Sequence, residues 1–337
     1  MPFTRPAFAL LLAACSESGL HAFTADPTAG RPGTPTDGVT APDPDRPDPK
    51  DPATTDPDPT DPTTTTPDTT TPDPQVCWWE PMDTSVSVSD VRSGFRSATA
   101  LDDALEVMDR RWPAGSGLLR EMSHDPYIDV FLEESSWSAM MDSLMTVVHE
   151  ETHGYDYEHS IHPTRFSLYL QENLTLEMRW IDGFPRSRIA DRVEGNSTDL
   201  YDSLYLEGTQ GTYGFAELLD ETNCYINGLG GAVAGWDAIP YTMSASDGPL
   251  AFLYFIALYL EEAQDSDPRL YQDLQNDPDV HEILEAFWLR THFFLEYSDP
   301  VPELGIEDQR IRTLLYQHQQ TWEDFLGEEL DASPCLP

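Results

Sequence analysis

Lysine is all but missing from this chain. Lys50 is the only one in 337 residues, and 18 basic side chains face 61 acidic ones, for a formal net charge of −43. A field of that sign repels phosphate backbones and excludes nucleic acid as a partner. Four cysteines are too few for a fold held by a dense disulfide framework. Long hydrophobic runs are also lacking: Leu250 to Leu260 falls short of the about 18 apolar residues a membrane-spanning helix needs, and reads as a core helix.

The first quarter of the chain has almost nothing that could enter a core. From about Asp26 to Pro74 it is Pro, Asp, Thr and Gly with repeated Asp-Pro steps. Nothing there offsets the entropy of ordering, so the segment is expected to stay extended and solvated. At about 3 Å per residue for Pro-rich chain, it would reach on the order of 100 Å. Ahead of it come Arg5, a short apolar run from Ala7 to Ala14, and Cys15. Leu12-Ala13-Ala14-Cys15 resembles the lipobox of bacterial lipoproteins, in which the Cys is lipidated and becomes the mature N-terminus. The resemblance implies export to the bacterial cell envelope and a membrane anchor on Cys15.

The expected organisation is a signal peptide over 1–15, a tether over 16–76 and a folded domain over 77–337. That domain carries 14 basic against 49 acidic side chains, a load tolerated best where salt screens self-repulsion. Cys77 opens it and Cys335 nearly closes it, so a disulfide between them would staple the two ends in an oxidising compartment. Cys224, set among apolar and amide residues, reads as a buried free thiol.

Apolar spacing predicts a helix from about Ala98 to Trp112, ended by Pro113. A second helix begins at Ser135 or Ser136, either of which is a fitting N-cap. It carries the stripe Trp137, Met140, Met141, Leu144, Val147 and Val148, with Gly154 as its stop. Phe166–Tyr169 and Leu174–Met178 read as a hairpin around Gln171-Glu172-Asn173. Further helices are expected over Tyr213–Ala234, Pro249–Glu262, His281–Tyr297 and Glu307–Leu326. The fold class is therefore α+β, mainly helical, with one small antiparallel sheet or hairpin.

On the second helix lies His149-Glu150-Glu151-Thr152-His153. Residues four apart share a helix face, so both imidazoles can bind one zinc ion at about 2.1 Å. Glu150, next to the first His, lies beside the metal's open side, where it can take a proton from water. The pentad resembles the zincin superfamily of metallopeptidases, in which the two His are ligands and the Glu is the general base. The resemblance implies a zincin-like domain that uses Zn2+, with His149 and His153 as ligands, Glu150 as catalytic base, and a peptide or protein as substrate. Glu151 departs from the family pattern, which has uncharged residues there; on a helix it points away from the His149 face, toward solvent.

Two sources of a third ligand stay open. Leu219-Asp220-Glu221, followed by Asn223 and Tyr225, is similar to the helix that supplies a Glu in the gluzincin branch, which makes Glu221 the ligand. Glu217, one turn earlier, is its alternate or a partner that orients a His ring. The metzincin branch places a third His six residues past the second, where this chain has His159, but that branch turns at a Gly where Asp156 stands. Tyr241-Thr242-Met243-Ser244 would then imitate its Met-containing turn. Tyr213, Tyr225, Tyr201 and His162 are candidates to stabilise an oxyanion. The basic patch Phe184-Pro185-Arg186-Ser187-Arg188 is expected to pair with acids rather than with substrate. Two further readings from other classes remain: a non-catalytic zinc-binding surface module, whose fourth ligand would come from combining His159 with Glu221, and a zinc hydrolase of a non-peptide bond.

Overall fold

The computed structural model describes residues 80–194, 199–327 and 329–330. The lipobox at Cys15, the 16–76 segment, Cys77 and Cys335 lie outside them. The described chain is mainly helical with one two-stranded antiparallel sheet. No helix among the described residues is long and apolar enough to cross a membrane.

After α1 (Ser89–Gly94), helix α2 (Ala100–Arg111) buries Ala104, Val107 and Met108 and gives way at Trp112 to α3 (Pro113–Glu121). Pro113 ends one helix, as predicted, and also opens the next, where its missing N–H costs no hydrogen bond and its fixed φ suits the first turn. The single turn α4 (Ile128–Phe131) precedes α5 (Trp137–His159). Ser136 is the N-cap of α5, its Oγ accepting the N–H of Ala139 at 3.2 Å. The predicted stripe from Met140 to Val148 is buried.

Gly154 does not stop α5, contrary to expectation; the helix runs on to His159. An interior glycine costs a helix only about 1 kcal/mol. The last turns are fixed by Asp156, whose carboxylate accepts the N–H of Tyr169 at 2.6 Å and the Asn223 amide at 2.9 Å. The pentad His149 to His153 therefore sits inside the helix rather than at its end.

Strands β1 (Arg165–Gln171) and β2 (Leu174–Arg179) pair with Phe166 opposite Met178 and Leu168 opposite Leu176. Asn173 supplies the left-handed turn residue, at φ 62°. Beyond the hairpin come α6 (Asp199–Tyr205), α7 (Phe215–Gly235), α8 (Asp247–Ser266), α9 (Pro268–Gln275), α10 (Pro278–Ser298), α11 (Asp308–Gln317) and α12 (Gln319–Leu326). The region read as one helix from Glu307 to Leu326 is two, broken at His318. There His318 Nδ1 meets Glu261 Oε1 at 2.6 Å and Thr321 Oγ1 donates to the same oxygen at 2.7 Å, so α8 holds the chain where the axis changes.

Helix α7 is buried along nearly its whole length and packs on α5, α8 and α10. Its crossing with α5 is close enough for main chain to approach main chain. A methyl at Gly231 would lie 2.7 Å from the carbonyl oxygen of Leu144, and one at Gly235 2.7 Å from that of Met141. These residues sit about one turn apart on one face, and the missing side chains let α7 lie against the motif helix. The start of the described chain is tied to the same core. Glu80 accepts from Trp112 Nε1 at 2.6 Å and from Arg290 Nη2 at 2.7 Å, all three side chains being buried.

Candidate metal centre

Two turns of α5 and the first half of α7 face one another across this crossing. His149 is fully buried; its ring packs edge-on against His153 and Tyr225, at centroid distances of 4.9 and 4.6 Å. From α7, Glu221 enters between the two imidazoles. Its Oε2 lies 3.5 Å from His153 Nε2 and 3.8 Å from His149 Nε2. One ligand atom from each of the three residues lies within 4.8 Å of the others. Three donors, each about 2.1 Å from one tetrahedral ion, are separated by roughly 3.4 Å, so only small adjustments separate this cluster from a coordination site.

The chemistry of the donors fits a metal. Glu221 Oε2 is buried without a hydrogen-bond partner among the described residues. Burying a carboxylate oxygen unpartnered is costly, and a cation between it and the rings removes that cost. Two imidazoles and one carboxylate suit zinc. The other nitrogen of His153, Nδ1, donates to Asp220 Oδ2 at 2.7 Å, which would leave Nε2, facing Glu221, as the ligand atom once a metal displaced its proton.

Charge among these groups is shared unevenly. Burial, then the nearby His153 charge, pushes the His149 imidazole down to about 3. Burial works against His153 as well, but Asp220, Cys224 and Glu221 carry it well above the ordinary histidine range. Glu221 is held below the usual carboxylate range: burial opposes ionisation, and His153, Arg186 and His149 outweigh it.

Of the predicted metal residues, the fold brings together His149, His153 and Glu221. Glu150, the expected base, lies half-buried one residue after His149. His159 is not brought to the site. Because α5 stays helical through Gly154, six residues place it on another face, stacked on Tyr155 at 3.9 Å with its Nε2 3.7 Å from Glu121. Glu217 instead closes the first turn of α7, accepting the N–H of Gly214 at 3.1 Å. The ring-orienting role considered for it falls to Asp220. Met243 belongs to the loop after α7, where its N–H reaches the Glu303 carbonyl at 2.7 Å.

Among the oxyanion candidates, Tyr225 lies behind His149 with its hydroxyl 2.7 Å from that of Tyr205, and the buried Tyr201 donates to the Ser244 carbonyl. His162 meets Trp180 edge-on and is exposed. Tyr213 is half-buried beside Arg186. Sequence reasoning passed over Tyr157, one turn beyond His153 on the same face. Its phenol is pushed up by burial and then by Asp220 and Glu217, and its ring packs against Phe166 and Trp180. Spacing of four from His153 was the available signal.

Two expectations about charge are corrected. Glu151 is not in solvent but buried, its carboxyl pushed up to about 9 by burial first and then by Asp125 and Glu150. Arg186 is buried and held by carbonyl groups instead of acids: Nε donates to Tyr205 O and Gln210 O, and Nη2 to the Gln210 side chain. Arg188 does pair with an acid, Glu262, at 2.6 Å. Cys224 is a buried free thiol, as expected.

The chain matches no protein-family model, no curated protein and no solved structure.

Proposed function

We propose that the folded part of this chain is a zincin-like, zinc-dependent metallopeptidase, carried on a lipid anchor at Cys15 and a Pro-, Asp- and Thr-rich tether at the bacterial cell envelope. The observation that carries the reading is the convergence of His149 Nε2, His153 Nε2 and Glu221 Oε2 on one point between two crossing helices. His149, His153 and Glu221 would hold the ion, with Asp220 fixing the His153 ring. Bound zinc would polarise the scissile carbonyl and make water acidic enough to lose a proton near neutral pH. Glu150 would take that proton and return it to the nitrogen of the leaving amine, so that no net proton is gained or lost at the enzyme.

The competing reading, a non-catalytic zinc module, needs a fourth protein ligand. Among the described residues no fourth His, Cys or carboxylate joins this group; Asp220 and Cys224 cluster with His153 separately. A three-ligand centre leaves one position for solvent or substrate, which weighs for catalysis.

The test is Glu150→Gln beside wild type, with metal analysis and hydrolysis of a protein substrate such as casein. The reading expects one zinc per chain in both and hydrolysis in wild type alone. Equal turnover in the variant would remove Glu150 from the mechanism. Absence of zinc from protein purified with zinc supplied would remove the metal.

A further inference from the structure

Glu151, the residue that departs from the zincin pattern, faces away from the two histidines into a second cluster. It is 1 % exposed, and neither carboxylate oxygen has a hydrogen-bond partner among the described residues. The charged form costs several kcal/mol to bury, so the group keeps its proton and stays unpaired unless a cation meets it. The segment between α3 and α4 brings a second carboxylate, Asp125, near it. Asp125 Oδ1 accepts the N–H of Tyr127 at 2.8 Å, which fixes the side chain. Its other oxygen turns toward α5. A methyl built on Gly154 would lie 3.5 Å from Asp125 Oδ2 and 3.8 Å from Glu151 Oε2. The two oxygens therefore border one small space from different segments, and the Met122 methyl, 2.9 Å from the same point, forms its third wall.

We propose that Glu151 and Asp125 hold a hard divalent cation of the calcium or magnesium class, at a site separate from the histidine centre. Oxygen donors alone select a hard cation over zinc. Two carboxylates neutralise its charge, and solvent on the half-exposed side of Asp125 completes the shell. The site would tie the loop after α3 to the turn of α5 between the two zinc ligands. That gives the unusual charge at 151 a structural task. The inference stands independently of the peptidase reading.

The experiment is thermal unfolding of protein stripped of metal, titrated with CaCl2 and separately with MgCl2 at constant ionic strength. No peptide substrate and no zinc are needed. Saturation by either ion should raise the midpoint by about 5 °C or more. Glu151→Gln, close to isosteric, and Asp125→Asn, at a half-exposed side chain, should each abolish that rise. No rise with either ion in wild type would overturn the proposal. So would a rise retained in both variants, since that is screening of an acidic surface. Should Glu151→Gln not fold, Asp125→Asn alone decides.

Discussion

Asp220 accepts a hydrogen bond from Nδ1 of His153 at 2.7 Å, while Glu221, the next residue, faces Nε2 of the same ring at 3.5 Å. Consecutive carboxylates on α7 thus address opposite edges of one imidazole. The first sets which nitrogen keeps its proton, and the second lies where an ion would share the free lone pair. Asp220→Asn preserves shape but weakens the acceptor. Zinc affinity should fall by about 10- to 100-fold, measured by competition with a chromogenic chelator. Unchanged affinity would mean that the ring is oriented by packing alone.

The rival third ligands separate cleanly. Glu221→Ala removes an oxygen from the cluster, whereas His159→Ala removes a ring stacked on Tyr155 on another face of α5. Metal analysis should show less than stoichiometric zinc in the first variant and one equivalent in the second. Loss of zinc from His159→Ala would require the end of α5 to unwind.

The two histidines predict opposite pH limbs for the metal-free protein. His149 titrates near 3 when folded and near 6.5 when unfolded, so between those values the unfolded chain binds the extra proton. Stability therefore falls as pH drops through that window. His153, raised in the folded state, contributes fully below about 6.5 and loses its contribution as pH rises through its folded value. Urea unfolding across pH should show His149→Gln losing part of the acid limb and His153→Gln part of the alkaline limb. Parallel profiles for wild type and both variants would contradict this assignment of charge.

The helices were legible because apolar spacing reports burial directly; the stripe from Met140 to Val148 and the apolar run at Leu250 are both core. The clustering of His149, His153 and Glu221 was legible because it rests on spacing within α5 and a local pattern in α7. Glu151 was not. Its helical angle excludes the histidine face correctly, but whether the opposite face meets water depends on α3 and the loop after it, which no local pattern encodes. Arg186 misled for a related reason: surrounding acidity suggested ion pairs, and the folded chain brought carbonyls from Tyr205 and Gln210 instead. Gly154 shows the limit of stop signals, since glycine ends a helix only where tertiary contacts do not continue it.

The α5–α7 crossing supplies the last prediction, because it sets how far Glu221 reaches toward the histidines. At Gly231 an added methyl would lie 2.7 Å from a main-chain carbonyl oxygen of Leu144, against a comfortable carbon contact of about 3.5 Å. A carbonyl inside a helix cannot swing away as a side chain can, so the helices must part. Alanine gains about 1 kcal/mol in helix propensity, yet Gly231→Ala should lower stability by about 1–3 kcal/mol in urea unfolding. Gly94→Ala, with no atom within 4 Å of the new methyl, is the control and should stay within about 0.5 kcal/mol of wild type. Parted helices also withdraw Glu221, so zinc affinity should fall in Gly231→Ala and hold in Gly94→Ala. If Gly231→Ala were more stable than wild type with zinc affinity unchanged, the glycine-lined face would be a matter of helix composition, and the reach of Glu221 would be set elsewhere along α7.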